Sequence, residues 1–292
     1  MVNGDEKNGI FRRSWYFFQC LRNQRKGVID DSVTILTPTL CSGEILKVGP
    51  SPARLLCDAF WASLDYFNLE KELEGKLKFF DVGCGSGRYG YFLQKYSKSS
   101  FESYTGLDIY KDVAFPAEFK HRLGRVEESI DKIEDDVNVL ISQSVMEHIK
   151  NDIEVLSAIT GRLDNKGRPF IQIHMLPASA SLWLYLWHGW RQYSLKNLCN
   201  IARILKRDFD VDVLAVPLVG RASFYAHLKY IVLYSFLTRI LGMFNVSFQE
   251  QPERGNRILE KVASERECSD VRTPIFWGLI IVSRGLHVNF KI

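Results

Sequence analysis

Residues 77–90 limit the possible folds of this chain more than any other stretch. The apolar residues 77–82 predict a short buried strand, three glycines within 83–87 predict a tight turn, and apolar side chains at helical spacing predict a helix over 88–97. Glycines let the backbone turn sharply and let a ligand approach the main chain closely. Free N–H groups at a helix start favour polar or anionic ligand atoms. The stretch therefore predicts a nucleotide-binding element.

The glycine turn is compatible with two classes of cofactor. Gly85-Ser-Gly87-Arg-Tyr-Gly90 fits the dinucleotide pattern G-x-G-x-x-G, which is a weak signal by itself. Asp81 favours the other class, because a buried parallel strand is usually apolar throughout and a carboxylate at its end needs a donor or cationic partner. The methionine amino group of S-adenosylmethionine can serve as that partner.

The segment Asp81-Val-Gly83-Cys-Gly85-Ser-Gly87 resembles the first motif of the class I S-adenosylmethionine-dependent methyltransferases, an acid followed by x-Gly-x-Gly-x-Gly. The resemblance implies that the cofactor is S-adenosylmethionine. It also implies cofactor-binding roles for the residues of the motif: Asp81, Gly83, Cys84, Gly85 and Gly87.

A second predicted strand, 102–108, ends in Asp108 and is followed by Ile109. Asp108 lies 21 residues after Gly87 (108 − 87). In either cofactor class, an acid at this distance accepts hydrogen bonds from ribose hydroxyls. Asp108 and Ile109 are therefore predicted to bind the nucleoside, although they do not separate the two classes.

Residues 137–149 resemble the fourth-strand motif of the same methyltransferases, which often ends in Glu-His-Ile. The resemblance covers about residues 50–177 and implies that Ser142 and Gln143, at the end of that strand, bind the cofactor. Some oxygen methyltransferases with a divalent cation carry Glu-x-x-Glu-His here. Ser144 replaces the first carboxylate of that pattern, and a hard cation prefers several oxygen ligands, so no metal is predicted.

Strands and helices alternate along most of the chain, which predicts a parallel sheet covered on both faces. Predicted strands are 77–82, 102–108, 124–126, 137–142, 169–176, 209–219 and 275–284, and predicted helices are 51–73, 88–97, 112–122, 127–133, 152–163 and 194–207. The resemblance implies that the last strand is antiparallel. The fold class is α/β, a Rossmann-like class I methyltransferase sheet, mostly parallel, with a helical lid or insertion.

The predicted domain organisation is an N-terminal extension, 1–50, followed by a methyltransferase domain, 51–292. The domain carries an aromatic segment, 178–193, and a helical insertion, 221–270. Within the extension, basic and aromatic residues over 11–26 predict a helix that packs on the domain or lies on a membrane surface.

Candidate general bases at the strand ends are His148 and His174, and a structural role is the alternative for each. In the aromatic segment, Trp187, His188 and Arg191 are candidate substrate-binding residues. An aromatic platform and a guanidinium suit an acidic or hydroxylated acceptor, while the alternative is a helix with core tryptophans.

The sequence therefore predicts a methyltransferase that O-methylates a small-molecule or glycan-type acceptor. The alternative is a non-catalytic cofactor-binding scaffold or sensor with the same fold. A net charge of +4 gives little reason to expect a nucleic-acid partner, and no apolar stretch is long enough to span a bilayer. Six cysteines without a C-x-x-C pair, and no signal-peptide pattern, favour a cytoplasmic protein with reduced thiols. The oligomeric state is left open.

Overall fold

The structure is a computed structural model. It describes residues 10–40, 52–184, 189–218, 224–225, 228–233, 237 and 274–291.

The core of the molecule is an eight-stranded sheet. In chain order its strands are β1 (Thr34–Ile35), β2 (Leu77–Val82), β3 (Phe101–Asp108), β4 (Lys120–Leu123), β5 (Val139–Gln143), β6 (Ile171–Pro177), β7 (Val211–Leu218) and β8 (Phe276–Ser283). Their spatial order is β1-β7-β8-β6-β5-β2-β3-β4. From β2 the chain first adds β3 and β4 on one side, and it then returns to add β5 and β6 on the other side. The order of the strands reverses at β2, so a ligand cleft is expected beyond the carboxyl ends of β2, β3 and β5.

The pairing of the strands confirms the predicted mostly parallel sheet. β2, β3, β4, β5 and β6 are parallel neighbours, and β8 runs antiparallel to both β6 and β7. β5 and β6 are buried along their whole length, as expected for strands covered on both faces.

Helices cover both faces of the sheet. They are α1 (Ile10–Asn23), α2 (Pro52–Ser63), α3 (Tyr66–Glu72), α4 (Arg88–Ser97), α5 (Asp152–Asp164) and α6 (Leu195–Asp208). One apolar cluster joins α2, α3 and α4 to one face of the sheet. A second cluster joins α5 and α6 to the other face. The sheet is therefore sandwiched between two helical layers.

The single helix predicted over 51–73 is two helices in the structure. The first helix, α2, ends at Ser63, and Leu64 forms an isolated β-bridge with Phe290. Asp65 then starts α3, because its side chain accepts a hydrogen bond from the N–H of Asn68 at 3.0 Å. An Asp at this position is a good N-cap, a signal that the continuous apolar pattern concealed.

The prediction for residues 112–133 was wrong. Instead of a helix, residues 112–119 form turns, in which Asp112 accepts the N–H of Ala114 at 2.7 Å through its side chain. The strand lies at 120–123, and 127–133 holds only short 3-10 turns. Pro116 disfavours helix before it, and the Phe115 side chain packs where a Cβ on Gly87 would lie. Tertiary packing therefore decides this segment.

The N-terminal extension contributes to the sheet and to the surface. β1 pairs parallel with β7, and α1 forms hydrogen bonds with Gly189, Trp190 and Asn197. The described parts of the chain contain no helix that is long and apolar enough to cross a membrane. Most of the predicted insertion 221–270 lies outside the described residues.

Candidate active site

The glycine turn after β2 is held in a conformation that requires glycine. Gly83, Gly85 and Gly87 all have positive φ, at +72°, +52° and +70°. A Cβ on Gly83 would lie 2.3 Å from a methyl group of Val145, whereas a Cβ on Gly85 would meet no protein atom within 4 Å. Gly83 is therefore required by packing, while Gly85 borders open space in which a ligand can approach the backbone.

Asp108, at the end of β3, contacts the glycine turn directly. Its carboxylate accepts hydrogen bonds from the N–H of Gly85 at 2.8 Å and from the N–H of Ile109 at 2.6 Å. The carboxyl ends of β2 and β3 are adjacent because Val82 pairs with Leu107. The sheet thus brings together the turn and the acid that the sequence placed 21 residues apart.

A cleft lies at the carboxyl ends of β2, β3 and β5. It is lined by Val82, Gly83, Leu107, Asp108, Ile109, Tyr110, Gly124, Val126, Glu127, Ser144, Val145, His148 and Ile149. Of the predicted site residues, it contains Gly83, Asp108, Ile109 and His148. Sequence reasoning missed Tyr110, Gly124, Val126 and Glu127. Gly124 and Glu127 follow β4 (Lys120–Leu123). The strand was predicted later, at 124–126, so Gly124 was assigned to the strand and Glu127 to the helix predicted over 127–133.

Asp81 is buried at the end of β2 and receives a hydrogen bond from the hydroxyl of Tyr104 on β3. The donor partner that a buried carboxylate needs is thus supplied at least in part by the neighbouring strand. Burial and the nearby Asp81 carboxylate raise the pKa of the Tyr104 phenol well above its ordinary value, so that Tyr104 remains a donor. Nothing in the sequence pattern marked Tyr104.

The side-chain amide of Gln143, at the end of β5, has a hydrogen-bond partner for its oxygen but none for its nitrogen in the described part of the structure. The indole N–H of Trp61, on α2, donates to Gln143 Oε1 at 3.1 Å. With its oxygen fixed in this way, the buried Gln143 Nε2 has no hydrogen-bond partner in the described part of the structure. A buried donor without a partner is costly, so this amide is suited to a ligand with acceptor atoms.

The structure contradicts the prediction that His174 is a general base. His174 is fully buried in β6, where Nδ1 lies 2.8 Å from Ser142 Oγ and Nε2 lies 3.3 Å from Gln172 Oε1. Gln172 uses its amide nitrogen to donate to Thr160, so its oxygen faces the histidine and Nε2 is the protonated ring nitrogen. Burial lowers the pKa of His174 to about 3. His174 is therefore a neutral core histidine, and the Ser142 hydroxyl is bound to it rather than exposed to a ligand.

His148 lies in the cleft, in contrast to His174. It ends a 3-10 turn, Met146–His148, directly after β5, and its side chain is 21% exposed. Nε2 lies 3.9 Å from Oε1 of the fully buried Glu147. A carboxylate at this distance stabilises the positive charge that an imidazole acquires when it takes up a proton.

The structure also contradicts the prediction that Arg191 binds the acceptor. Its guanidinium forms an ion pair with the buried Asp152 at the start of α5 and donates to the Lys150 carbonyl at 2.5 Å. Tyr193 donates to the other oxygen of Asp152 at 2.7 Å. Arg191 thus ties the end of the aromatic segment to α5. Trp187 and His188, the other two candidate substrate residues, lie outside the described residues.

In the described part of the chain, no group of three or more His, Cys, Asp or Glu side chains is arranged to hold a metal ion. Among the described cysteines, those that are buried and form no disulfide are Cys20, Cys57, Cys84 and Cys199. Cys84 belongs to the glycine turn, and burial together with the carboxylates of Asp81 and Asp108 raises the pKa of its thiol far above the ordinary value. Cys84 is thus a neutral packing residue, and its sulfur lies where a Cβ on Gly106 would be.

A family model described as a methyltransferase domain matches residues 54–209, which is more than half of the chain. The chain belongs to this methyltransferase family. The match begins within α2 and ends after α6, so it includes the glycine turn, Asp108 and His148. A search of curated proteins finds no match to this chain.

Solved structures similar to this chain include several methyltransferases. The plantazolicin methyltransferase BamL, in complex with a triazolic desmethylPZN analogue and S-adenosylhomocysteine, is 13% identical over 80% of this chain and 84% of its own, with a TM-score of 0.45. The methyltransferase domain of bacterial CtHen1 is 19% identical over 52% and 85%, with a TM-score of 0.39. A methyltransferase from Archaeoglobus fulgidus is 13% identical over 75% and 99%, with a TM-score of 0.41. Similarity at this level does not bear on the acceptor.

The cofactor of this methyltransferase is S-adenosylmethionine, and the site fits it. The open space at Gly85 leaves room for the cofactor beside the turn, and Asp108 offers carboxylate oxygens to ribose hydroxyls. The Gln143 Nε2 donor suits the carboxylate of the methionine moiety. These assignments of individual residues remain predictions.

Proposed function

We propose that this methyltransferase transfers a methyl group to a hydroxyl of a small-molecule or glycan-type acceptor, with His148 as general base. The observation that carries the proposal is the position of His148 in the cleft, at the end of β5. A histidine is the side chain best suited to accept a proton near neutral pH. A hydroxyl acceptor benefits from such a base, because its oxygen becomes a better nucleophile as the proton leaves.

In this proposal the chain's residues have separate tasks. The glycine turn, Asp108 and Gln143 hold the cofactor, which supplies an electrophilic methyl group when bound. His148 accepts the hydroxyl proton of the acceptor, and the nearby Glu147 carboxylate stabilises the resulting imidazolium. Positioning of the acceptor supplies much of the remaining rate acceleration, on the order of 7–11 kcal/mol in favourable cases.

The acceptor class is tested by a transfer screen. Cell-extract fractions containing small metabolites, lipid-linked sugars, protein and nucleic acid are incubated with the enzyme and with S-adenosylmethionine that carries a labelled methyl group. We expect label in a metabolite or sugar fraction, in a product that resists treatments that cleave methyl esters. Label in the protein or nucleic-acid fraction would contradict the acceptor class. Tight S-adenosylhomocysteine binding without transfer to any fraction would favour the non-catalytic scaffold.

The role of His148 is tested with the acceptor found in that screen. We expect His148→Gln to lower kcat by at least about 100-fold, the lower end of the range for a general base, and to remove the rise of kcat with pH. The affinity for S-adenosylhomocysteine should be unchanged. His287→Gln, an exposed histidine after β8, is the matched control and should behave as wild type. Normal turnover by His148→Gln would show that the reaction needs no base at this position.

A further inference from the structure

The outer face of α1 is an aromatic stripe. Phe11, Trp15 and Phe18 are 90%, 46% and 66% exposed. Their spacing of four and three residues places them on one side of the helix, and Arg22 continues the same line. We call Phe11, Trp15 and Phe18 the aromatic face.

The opposite side of α1 is fixed to the body of the protein. Tyr16, Cys20 and Asn23 are buried, and Tyr16 packs edge-to-face on Trp190 with ring centroids 5.4 Å apart. Trp15, at the margin of the aromatic face, also packs on Trp190, with ring centroids 5.4 Å apart. The side-chain amide of Asn23 donates to the carbonyl of Trp190 at 2.9 Å. Since the other side of α1 already packs on the protein, the aromatic face is not the side by which the helix is held to the core.

The aromatic face lies in a strongly basic stretch. Residues 10–29 contain five basic residues, Arg12, Arg13, Arg22, Arg25 and Lys26, and no acidic residue. Arg22, Arg25 and Lys26 are exposed. The nearest acidic residues in the sequence are Asp5 and Glu6 before this stretch, and Asp30, which is paired with Arg203, and the exposed Asp31 after it. The surface thus combines exposed aromatic rings with an excess of positive charge.

From this combination we infer that α1 docks on an anionic lipid surface. Aromatic side chains on a helix that lies in the membrane plane enter the boundary between headgroups and acyl chains, and neighbouring Lys and Arg residues attract anionic headgroups. A protein partner would need an apolar pocket for the aromatic rings and acidic residues beside that pocket. An anionic bilayer provides an apolar layer and negatively charged headgroups over its whole surface. The positive charge makes an anionic bilayer a better occupant than a second copy of this equally basic helix.

The docked helix lies close to the cleft. Trp190, which contacts α1, donates its backbone N–H to the carbonyl of Glu147 at 2.7 Å. Glu147 directly precedes His148, the proposed general base. Docking through α1 would therefore hold the active site near the bilayer, within reach of an acceptor that is attached to lipid or partitions into the membrane. This last consequence rests on the proposed function, whereas the docking itself does not.

The inference is tested by co-sedimentation with vesicles, without cofactor or acceptor, so that the result does not depend on the proposed activity. One set of vesicles contains phosphatidylcholine alone, and the other also contains phosphatidylglycerol. We expect the wild type to bind the anionic vesicles, to bind the neutral vesicles at least about tenfold more weakly, and to be released by salt.

Two double variants separate the aromatic and the basic contributions. We expect Phe11→Ser with Phe18→Ser, and Arg25→Glu with Lys26→Glu, each to weaken binding to anionic vesicles by at least about tenfold. The matched controls are Phe67→Ser, an exposed phenylalanine on α3, and Lys71→Glu with Lys95→Glu, which makes the same change of charge elsewhere. Both controls should bind as wild type does. All variants should retain the affinity of the wild type for S-adenosylhomocysteine, which shows that they fold.

Three results would overturn the inference. The first is that the wild type binds neither type of vesicle, or binds both equally. The second is that the controls lose binding as much as the α1 variants do. The third is that the wild type self-associates in the absence of lipid and that Phe11→Ser with Phe18→Ser makes it monomeric, because the aromatic face would then be an interface between copies of the chain.

Discussion

At the scale of single residues, Gly85 and Gly167 share a backbone conformation but differ in what they face. Their φ angles are +52° and +61°, and a Cβ on either would meet no protein atom within 4 Å. Gly85 lies in the turn after β2, and Gly167 lies in the turn between α5 and β6, at the other end of the sheet. The pair therefore separates the cost of a strained backbone from the cost of filling a ligand site.

We predict that Gly85→Ala lowers the affinity for S-adenosylhomocysteine at least tenfold, or about 1.4 kcal/mol, because the added methyl group occupies cofactor space. Gly167→Ala should leave the affinity unchanged. Both variants should lose about 1–2 kcal/mol of unfolding free energy, since each places an L-residue in the left-handed region. Calorimetry with S-adenosylhomocysteine and urea unfolding measure the two quantities. Equal affinities for the two variants would place the cofactor away from the turn.

His148 and His174 show where residue-level prediction from the sequence ends. Both follow or occupy a predicted strand and both were candidates for the base. Their difference depends on contacts across the sheet, because Ser142 on the neighbouring strand β5 and Gln172, which Thr160 of α5 holds in place, enclose His174. The sequence pattern of a strand does not show which of its side chains a helix covers, so it did not show that the His174 side chain lies beneath α5. The glycine motif was more informative, because its spacing directly encodes a backbone geometry.

At the scale of elements, six of the eight described strands were predicted well, whereas β1 and the segment after β3 were not. β2, β3, β5, β6, β7 and β8 lie within two residues of the predicted bounds, because each contains at least four consecutive buried residues. β4 is a four-residue edge strand with polar side chains, and its burial pattern is mixed. A short polar strand carries no periodic signal, so its position depends on pairing with β3.

The start of α3 gives a prediction at this scale. The Asp65 side chain accepts the N–H of Asn68, whereas Asn151, at the corresponding position of α5, makes no capping bond through its side chain. We predict that Asp65→Ala lowers the unfolding free energy by about 1 kcal/mol, the usual value of an N-cap. Asn151→Ala should lower it by less than about half as much. Urea unfolding distinguishes the two, and equal losses would show that the Asp65 bond contributes nothing to stability.

At the scale of the whole molecule, residues 189–193 join parts of the chain that are distant in sequence. Gly189 and Trp190 contact α1, and Arg191 and Tyr193 bind Asp152 at the start of α5. The segment thus connects the N-terminal extension to the central sheet, next to the residues that line the cleft. The sequence showed the aromatic and basic composition of this stretch, but not that Asp152 is the partner of Arg191. That pairing depends on the path of the chain after β6.

The ion pair between Arg191 and Asp152 gives the corresponding prediction. The two side chains are 15% and 2% exposed, whereas those of Arg203 and Asp30, a surface pair, are 47% and 32% exposed. Removal of one partner of a buried pair leaves an uncompensated charge and costs about 3–5 kcal/mol. Removal of one partner of an exposed pair costs about 1 kcal/mol or less. We therefore predict that Arg191→Met is much more destabilising in urea unfolding than Arg203→Met.

The double variant Arg191→Met with Asp152→Asn tests the same pair from the other side. It should be less destabilised than the sum of its two single variants, because the second change removes the charge that the first leaves buried. Its affinity for S-adenosylhomocysteine should be close to that of the wild type, since neither residue lines the cleft. If Arg191→Met instead unfolds like the wild type and loses only methyl transfer, the guanidinium binds the acceptor. Its contact with Asp152 would then be replaced by the acceptor during turnover.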